Sequence, residues 1–357
     1  MTIGVHAGPD FFNELRASVK DYFDKNHLSK YGNRSLMIKT LLMISLYFTP
    51  YLLMLMGMVH SPVELLFCWA LMGMGMAGVG MTFMHDANHG TFSKNARINL
   101  LLSKSIFLLG GFPNNWRYQH NVLHHGYTNI DGHDEDIAPI SLLRFSPHKP
   151  LLKIHHWQHW YAWFFYGLLT LSWVTIKDFI QFAQYRNEKG YIPKGSSQSK
   201  VIISMVINKL IYHLIFLVIP LMVVTVPWYW IVLSFLVMHF VGGLILSTIF
   251  QVAHVVPTSQ FPVGDKEGNV DNHWAVHQLL NTSDFSPRGK IFSWLIGGLN
   301  YQIEHHLFPN ISHVHYRHLA PIVQQLALKH HLPYYVENHF VDALSSHVSM
   351  LKSLGRE

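Results

Sequence analysis

Histidine is the residue type that stands out in this chain, with 27 copies among 357 residues, one more than the 26 lysines and arginines together. His85 and His89 are four apart, a separation that on a helix puts two rings on one face, able to share an ion. His120, His124 and His125 repeat that pair and add a neighbour, and Gln302-Ile303-Glu304-His305-His306 brings two more. A single pair says little. Three clusters, each at or just past the end of an apolar segment, say more: seven imidazoles exceed the three or four ligands of one zinc site, so two metal ions are implied. Nitrogen ligation suits iron, copper and zinc alike and leaves the metal open. Cys68, the only cysteine, lies in an apolar run, which leaves no disulfide framework and no thiolate metal site.

Other histidines read differently. His155, His156 and His159 stand among tryptophans, where amphipathic rings suit a membrane interface. His273 and His277 repeat the spacing of the first pair, and His313, His315 and His318 follow the third cluster; spacing alone does not exclude them as ligands. His60 and His239 fall too far from the clusters to join them.

The elements that must position the clusters are apolar. Half the chain is hydrophobic, 14% aromatic and only 13% charged, which points to the membrane class. Four stretches, 36–59, 62–84, 203–226 and 228–250, are long enough to cross about 30 Å of hydrocarbon as helices. They form two hairpins, turning at Val59-His60-Ser61-Pro62 and Val226-Pro227-Trp228. All 26 lysines and arginines fall outside 40–93 and 210–265, so both tips lack positive charge, and the positive-inside rule puts both termini and the clusters in the cytoplasm. Trp157 to Ile176 and Ile98 to Phe112 read as interfacial or re-entrant helices, because an extra crossing would part the clusters. No signal peptide is expected. The expected architecture is all-α and integral to the membrane, a single domain over 1–357. Segment 1–35 is cytoplasmic, and 85–202 with 251–357 form an interfacial and cytoplasmic cap carrying a two-metal histidine site. Gly73, Gly75, Gly78 and Gly80 thin the second span, either to admit an apolar chain between helices or to pack helices closely. The net charge of 26 − 20 = +6 is too modest to argue for nucleic acid.

The three clusters, in order, spacing and distance from the spans, resemble the histidine boxes of membrane fatty acid desaturases and hydroxylases over nearly the whole chain. That resemblance implies two iron ions held by His85, His89, His120, His124, His125, His305 and His306. Desaturases of this type draw a further ligand from the last span, which assigns that role to His254 in Gln251-Val252-Ala253-His254. Glutamine as the first residue of the third box, Gln302, is similar to the front-end branch, which desaturates between an existing double bond and the carboxyl end. Trp116-Arg117-Tyr118-Gln119-His120 and Tyr127-Thr128-Asn129-Ile130 are similar to bacterial linoleoyl-CoA-type members. Asp86, Asn88, Asn121 and Gln302 are candidates to orient the ligands from outside, and Asp134-Glu135-Asp136, similar to an Asp-rich string that family members carry there, is a candidate outer support of the second box. No catalytic side chain beyond the metal ligands is expected.

The implied reaction takes dioxygen as co-substrate and a long-chain acyl group on CoA, a carrier protein or a lipid. Two electrons must come from outside. The chain carries no His-Pro-Gly-Gly haem motif and its first 35 residues are too short for a cytochrome domain, so a separate ferredoxin or cytochrome is implied. Arg117, Arg144, Lys149 and Lys153 are cations that such a donor or a CoA phosphate would meet, or simply a basic face toward solvent and lipid. Zinc is an expected substitute in aerobic preparations. Lipid hydroxylases and ketolases carry similar boxes and are the competing reading. A metal transporter is disfavoured, since transport calls for polar groups along a path across the bilayer, whereas these clusters gather at one face.

Overall fold

The computed structural model describes residues 7–138 and 140–356. Helix α1 (Ala7–Lys25) buries Phe11, Leu15 and Val19, an i, i+4, i+8 stripe. Asn33 caps α2 (Arg34–Leu55) by accepting from the Leu36 amide, and Gly57, at φ +70°, turns the chain after it. Ser61 and Glu64 form a reciprocal capping box with Pro62 at the first helical position, so α3 (Pro62–Asn88) begins where the sequence places the hairpin tip. Short helix α4 (Ala96–Ser103) leads to α5 (residues 113–127), which carries the second histidine cluster. Helices α6 (Gln158–Gly167) and α7 (residues 169–189) follow, then α8 (Gln198–Val223) and α9 (Trp228–His254).

The remainder is a cap of shorter helices: α10 (Trp274–Asn281), α11 (Lys290–Leu295), α12 (Gln302–Leu307), α13 (Tyr316–Lys329) and α14 (Phe340–Leu354). A two-residue parallel pair, β1 (Asp284–Phe285) with β2 (Val336–Glu337), ties the approach to α14 back against the cap.

Four helices, α2, α3, α8 and α9, are long and apolar enough to cross a membrane. Their number and pairing match the sequence reading, but their ends differ. The second and fourth run four residues beyond the expected 84 and 250, to Asn88 and His254. Hydropathy stops at the first polar side chains, whereas the helix does not: His85, Asp86, Asn88 and His254 are all buried, so the backbone ladder continues inside protein. The first span ends at Leu55 and the third at Val223, short of the expected 59 and 226.

Helix α3 packs between α2 and α9. A Cβ at Gly75 would lie 2.7 Å from the Tyr47 amide nitrogen, and one at Gly73 would lie 2.5 Å from the Met238 carbonyl oxygen. At Gly78 the obstacle is the Met43 sulfur. These three glycines therefore serve close helix packing, and only Gly80 borders an open cavity. The stretch expected at the interface, Trp157 to Ile176, packs along α9, with Gly167 against Phe240 and Gly243 against the Gly167 carbonyl. It bends at Leu168 and turns Trp160, Phe164 and Ile176 outward.

Candidate metal centre

Four elements bring the histidines together. His85 and His89 come from the end of α3, just after a π-helical turn at Gly80–Met84. His120 and His124 lie in a second π-helical turn, Tyr118–His124, with His125 directly after it. His254 ends α9, and His305 with His306 sit on α12. Such turns widen the helix and re-aim side chains.

The rings form two clusters whose ligand atoms lie within 4.8 Å of one another: His85, His89, His120 and His305 in one, His124, His254 and His306 in the other. The first i, i+4 pair shares a cluster, as its spacing suggests. His120 and His124 are divided between the two main clusters, though both also border Asp136, and consecutive His305 and His306 are likewise divided. His125 stands between the clusters, its ring 4.5 Å from that of His305 and 4.4 Å from that of His306.

The hydrogen bonds show which nitrogen of each ring is left over. His254 Nδ1 is 3.2 Å from the Asn281 carbonyl, which can only accept, so that nitrogen carries the proton. His124 Nδ1 is 3.2 Å from a carboxylate oxygen of Asp134 and of Asp136, again acceptors. His305 Nδ1 meets the Tyr316 hydroxyl at 3.1 Å, and His306 Nδ1 meets Gln278 Oε1 at 2.8 Å. In His254, His305 and His306 the opposite nitrogen, Nε2, is buried without a partner, as are His89 Nε2 and both nitrogens of His125. An unpaired buried polar atom is costly, and a cluster of them needs an explanation.

A metal ion held by these nitrogens would supply it. Rings anchored through Nδ1 with Nε2 lone pairs converging form the arrangement in which outer partners orient metal-binding imidazoles. His85 Nε2 and His120 Nε2 stand 3.1 Å apart; two nitrogens each about 2.1 Å from one ion at a right angle are about 3.0 Å apart. Burial pushes His89 down to about 4, and burial together with neighbouring imidazoles holds His120, His125, His305 and His306 well below the ordinary imidazole range. They are neutral at pH 7, the state that binds metal. His124 departs from this: burial opposes its charge, but Asp134 and Asp136 outweigh that and raise it to about 9.

Of the residues expected to orient the ligands, Gln302 stands at His254, while Asp86, Asn88 and Asn121 bond elsewhere. Asp86 accepts from Ser312 and His313, at 2.5 and 2.8 Å. Asn88 accepts from Arg117 Nε at 2.9 Å and donates to the Met84 carbonyl, Asn121 donates to the Asn88 carbonyl, and Gln302 to the Leu299 carbonyl. They brace the backbone that carries the clusters. His277 is engaged by the Thr128 carbonyl at 2.7 Å and by Asn281, His313 by Lys39 and Asp86, and His315 by Tyr31, so none of the three joins a cluster.

Sequence reasoning missed Gln278, Asn281 and Tyr316, which stand against the imidazoles. A signal for the first two was present in Trp274–Asn281, whose helical spacing buries seven consecutive residues from Ala275 to Asn281. It also missed the buried carboxyl pair Asp284 and Glu304, both bonded by the Tyr334 hydroxyl at 2.8 and 3.0 Å. Burial pushes Asp284 up to about 6 and Glu304 well above its usual range, so the pair keeps a proton at neutral pH.

A cavity of about 530 Å³ opens against the first cluster. Gly80, Met84, Leu109, Trp116 and Leu246 line its apolar part beside His120, and Gln119, Asp136, Lys177 and Gln181 line a polar part. Trp116 stacks on the His120 ring at 4.5 Å.

Residues 61–338 match the family model described as fatty acid desaturase. The chain is 32% identical to a protein named sn-1 linoleoyl-lipid 6-desaturase from Arthrospira platensis, over 99% of this chain and 94% of the relative. It is equally identical to a protein of that name from Synechocystis sp., over 97% and 96%. An acyl-lipid (8-3)-desaturase of Physcomitrium patens matches at 32% over 97% of this chain and 72% of its own length.

Proposed function

This chain belongs to the fatty acid desaturase family and is an oxidoreductase acting on fatty acyl chains; on that premise we propose a front-end desaturase whose eight clustered histidines hold two iron ions. The observation that carries the reading is the convergence of unpartnered, buried Nε2 atoms from rings anchored through Nδ1. The chemistry such a pair supplies is reductive activation of dioxygen, which allows two vicinal hydrogens to leave an unactivated methylene pair, a step beyond any side chain.

The protein's own residues do the rest. Asp134, Asn281, Tyr316 and Gln278 fix the orientation of His124, His254, His305 and His306. His125, between the clusters, is available to either. The cavity beside His120 takes the acyl chain, and Trp116 with Phe250 walls that ring from water. Gln302 and the names of the relatives support carboxyl-side regiochemistry. The hairpin tips, free of lysine and arginine, support a multi-pass topology with site and termini cytoplasmic, and 1–357 acting as one domain. A separate one-electron donor completes the reaction.

Expression in a host with a ferredoxin reductase system, fed linoleate, tests this beside His306→Ala. The expected product is a polyunsaturated acid with a new double bond on the carboxyl side of the existing ones, absent in the variant. A hydroxylated acid instead would replace desaturation by hydroxylation.

A further inference from the structure

Desaturation leaves a defined electron deficit. The step R–CH2–CH2–R′ + O2 + 2e− + 2H+ → R–CH=CH–R′ + 2H2O takes two electrons from the acyl chain and two from an external reductant, one bond's worth of hydrogens leaving as water. The reductant needs a surface close to the metals that the acyl chain does not occupy.

Such a surface exists. A groove of about 770 Å³ lies between α1 and the end of α12, and shares no lining residue with the acyl cavity. Its floor includes Leu307 and Phe308, the residues directly after His306. Phe12, on its wall, stacks against Phe308 and meets Trp274 edge-on at 5.5 Å, and Trp274 Nε1 donates to the His125 carbonyl at 3.2 Å. Two contacts thus separate the groove from the histidine between the clusters.

The rim is basic. Arg16, Lys20 and Lys30 line it and no carboxylate does. Three of the four acids on α1 are paired, Glu14 with Lys329, Asp21 with Lys25 and Asp24 with Lys20; Asp10, near the start of the helix, has no such partner among the described residues. Arg16 and Lys30 have no ion-pair partner among the described residues. Of the four cations that the sequence offered elsewhere, exposed Lys153 is as free, but the other three are engaged, Lys149 by Asp131. Arg117 is tied to Asn88 and Ser103, and buried Arg144 donates to the Leu354, Lys149 and Pro147 carbonyls.

We propose that this groove docks an acidic one-electron carrier protein, held by Arg16 and Lys30 over the apolar floor behind His306. The inference rests on the desaturase reading for the need of a donor and on the groove for its place. Charge complementarity of this kind sets association rate and salt dependence.

The test uses the full chain in nanodiscs, with plant-type ferredoxin as probe. Binding of oxidised ferredoxin and the donor KM are measured for wild type, for Arg16→Glu with Lys30→Glu, and for exposed Lys153→Glu as control. Wild-type binding should weaken as salt rises. The double variant should bind about tenfold more weakly and raise the donor KM equally, with kcat at saturating donor and the acyl KM unchanged. Lys153→Glu should stay within about twofold of wild type. Unchanged ferredoxin binding in the double variant overturns the proposal, and so does a loss confined to Lys153→Glu, which would put the docking face at that residue. Unchanged ferredoxin binding with weaker retention of anionic lipid assigns the groove to headgroups instead. Wild-type binding of ferredoxin without any desaturated product would sink the enzymatic reading and leave the docking surface standing.

Discussion

Asp134→Asn changes one oxygen for a nitrogen and has a pH signature that the structure dictates. Asp134 accepts from His124 Nδ1 and from the Asn129 and Asp136 amides, at 2.9 Å each for the latter two. In the metal-free protein the carboxylates raise His124 to about 9, against burial. A folded pKa above the ordinary value near 6.5 stabilises the metal-free chain below pH 6.5, and that stabilisation fades as pH rises through 9. A metal must displace this proton. At pH 7, two units below 9, the competition is about 100-fold, or about 2.7 kcal/mol. The other imidazoles outside the spans are pushed below their usual range and do not compete at this pH. Wild-type metal affinity should therefore climb about 50-fold between pH 7 and 9. In Asp134→Asn the larger charge is gone and Asp136 alone remains, so the climb should shrink below about tenfold. At pH 9 the variant should bind about 10–100-fold more weakly, for loss of the group that orients the ring. Chelator competition with Fe2+ across pH 6.5–9.5 reads both quantities. A variant that keeps the wild-type slope refutes the role given to Asp134.

Further predictions follow from other contacts. Lys209 and Asp178 form a buried ion pair that also reaches the Gly110 carbonyl, so Lys209→Met should destabilise by about 3–5 kcal/mol, and Lys209→Met with Asp178→Leu should recover most of that in thermal unfolding. Gly75→Ala, forced against the Tyr47 backbone, should lose about 1–3 kcal/mol of stability in detergent unfolding. Gly80→Val should fill the cavity next to Leu109 and Leu246, lowering kcat/KM for long acyl chains more than for short ones, with metal content by mass spectrometry unchanged.

Much of the site was legible because imidazole is a common metal ligand and the clusters stand out at the ends of apolar segments. The box histidines and His254 do meet, and the four long helices are those that hydropathy marks. What spacing concealed was the partition. A π-helical turn through Tyr118–His124 alters the angle between residues four apart, so His120 and His124 face different clusters. Hydropathy marks apolar spans to 84 and 250, whereas the helices run on to Asn88 and His254 through buried polar side chains that an apolar window does not register. Partners such as Gln278 and Tyr316 come from helices distant in sequence, and no local pattern links them to His306 or His305. The glycines of α3 offered two readings, and distances to the facing backbone decided between them.

The most direct test of the central claim is the metal content and iron-edge X-ray absorption of protein prepared without oxygen, compared with His89→Ala and His254→Ala, one from each cluster. Two irons per chain in a nitrogen-dominated shell, falling toward one in either variant, is the predicted result. A single iron in the wild type, or two retained in both variants, would contradict a two-metal centre divided between these clusters.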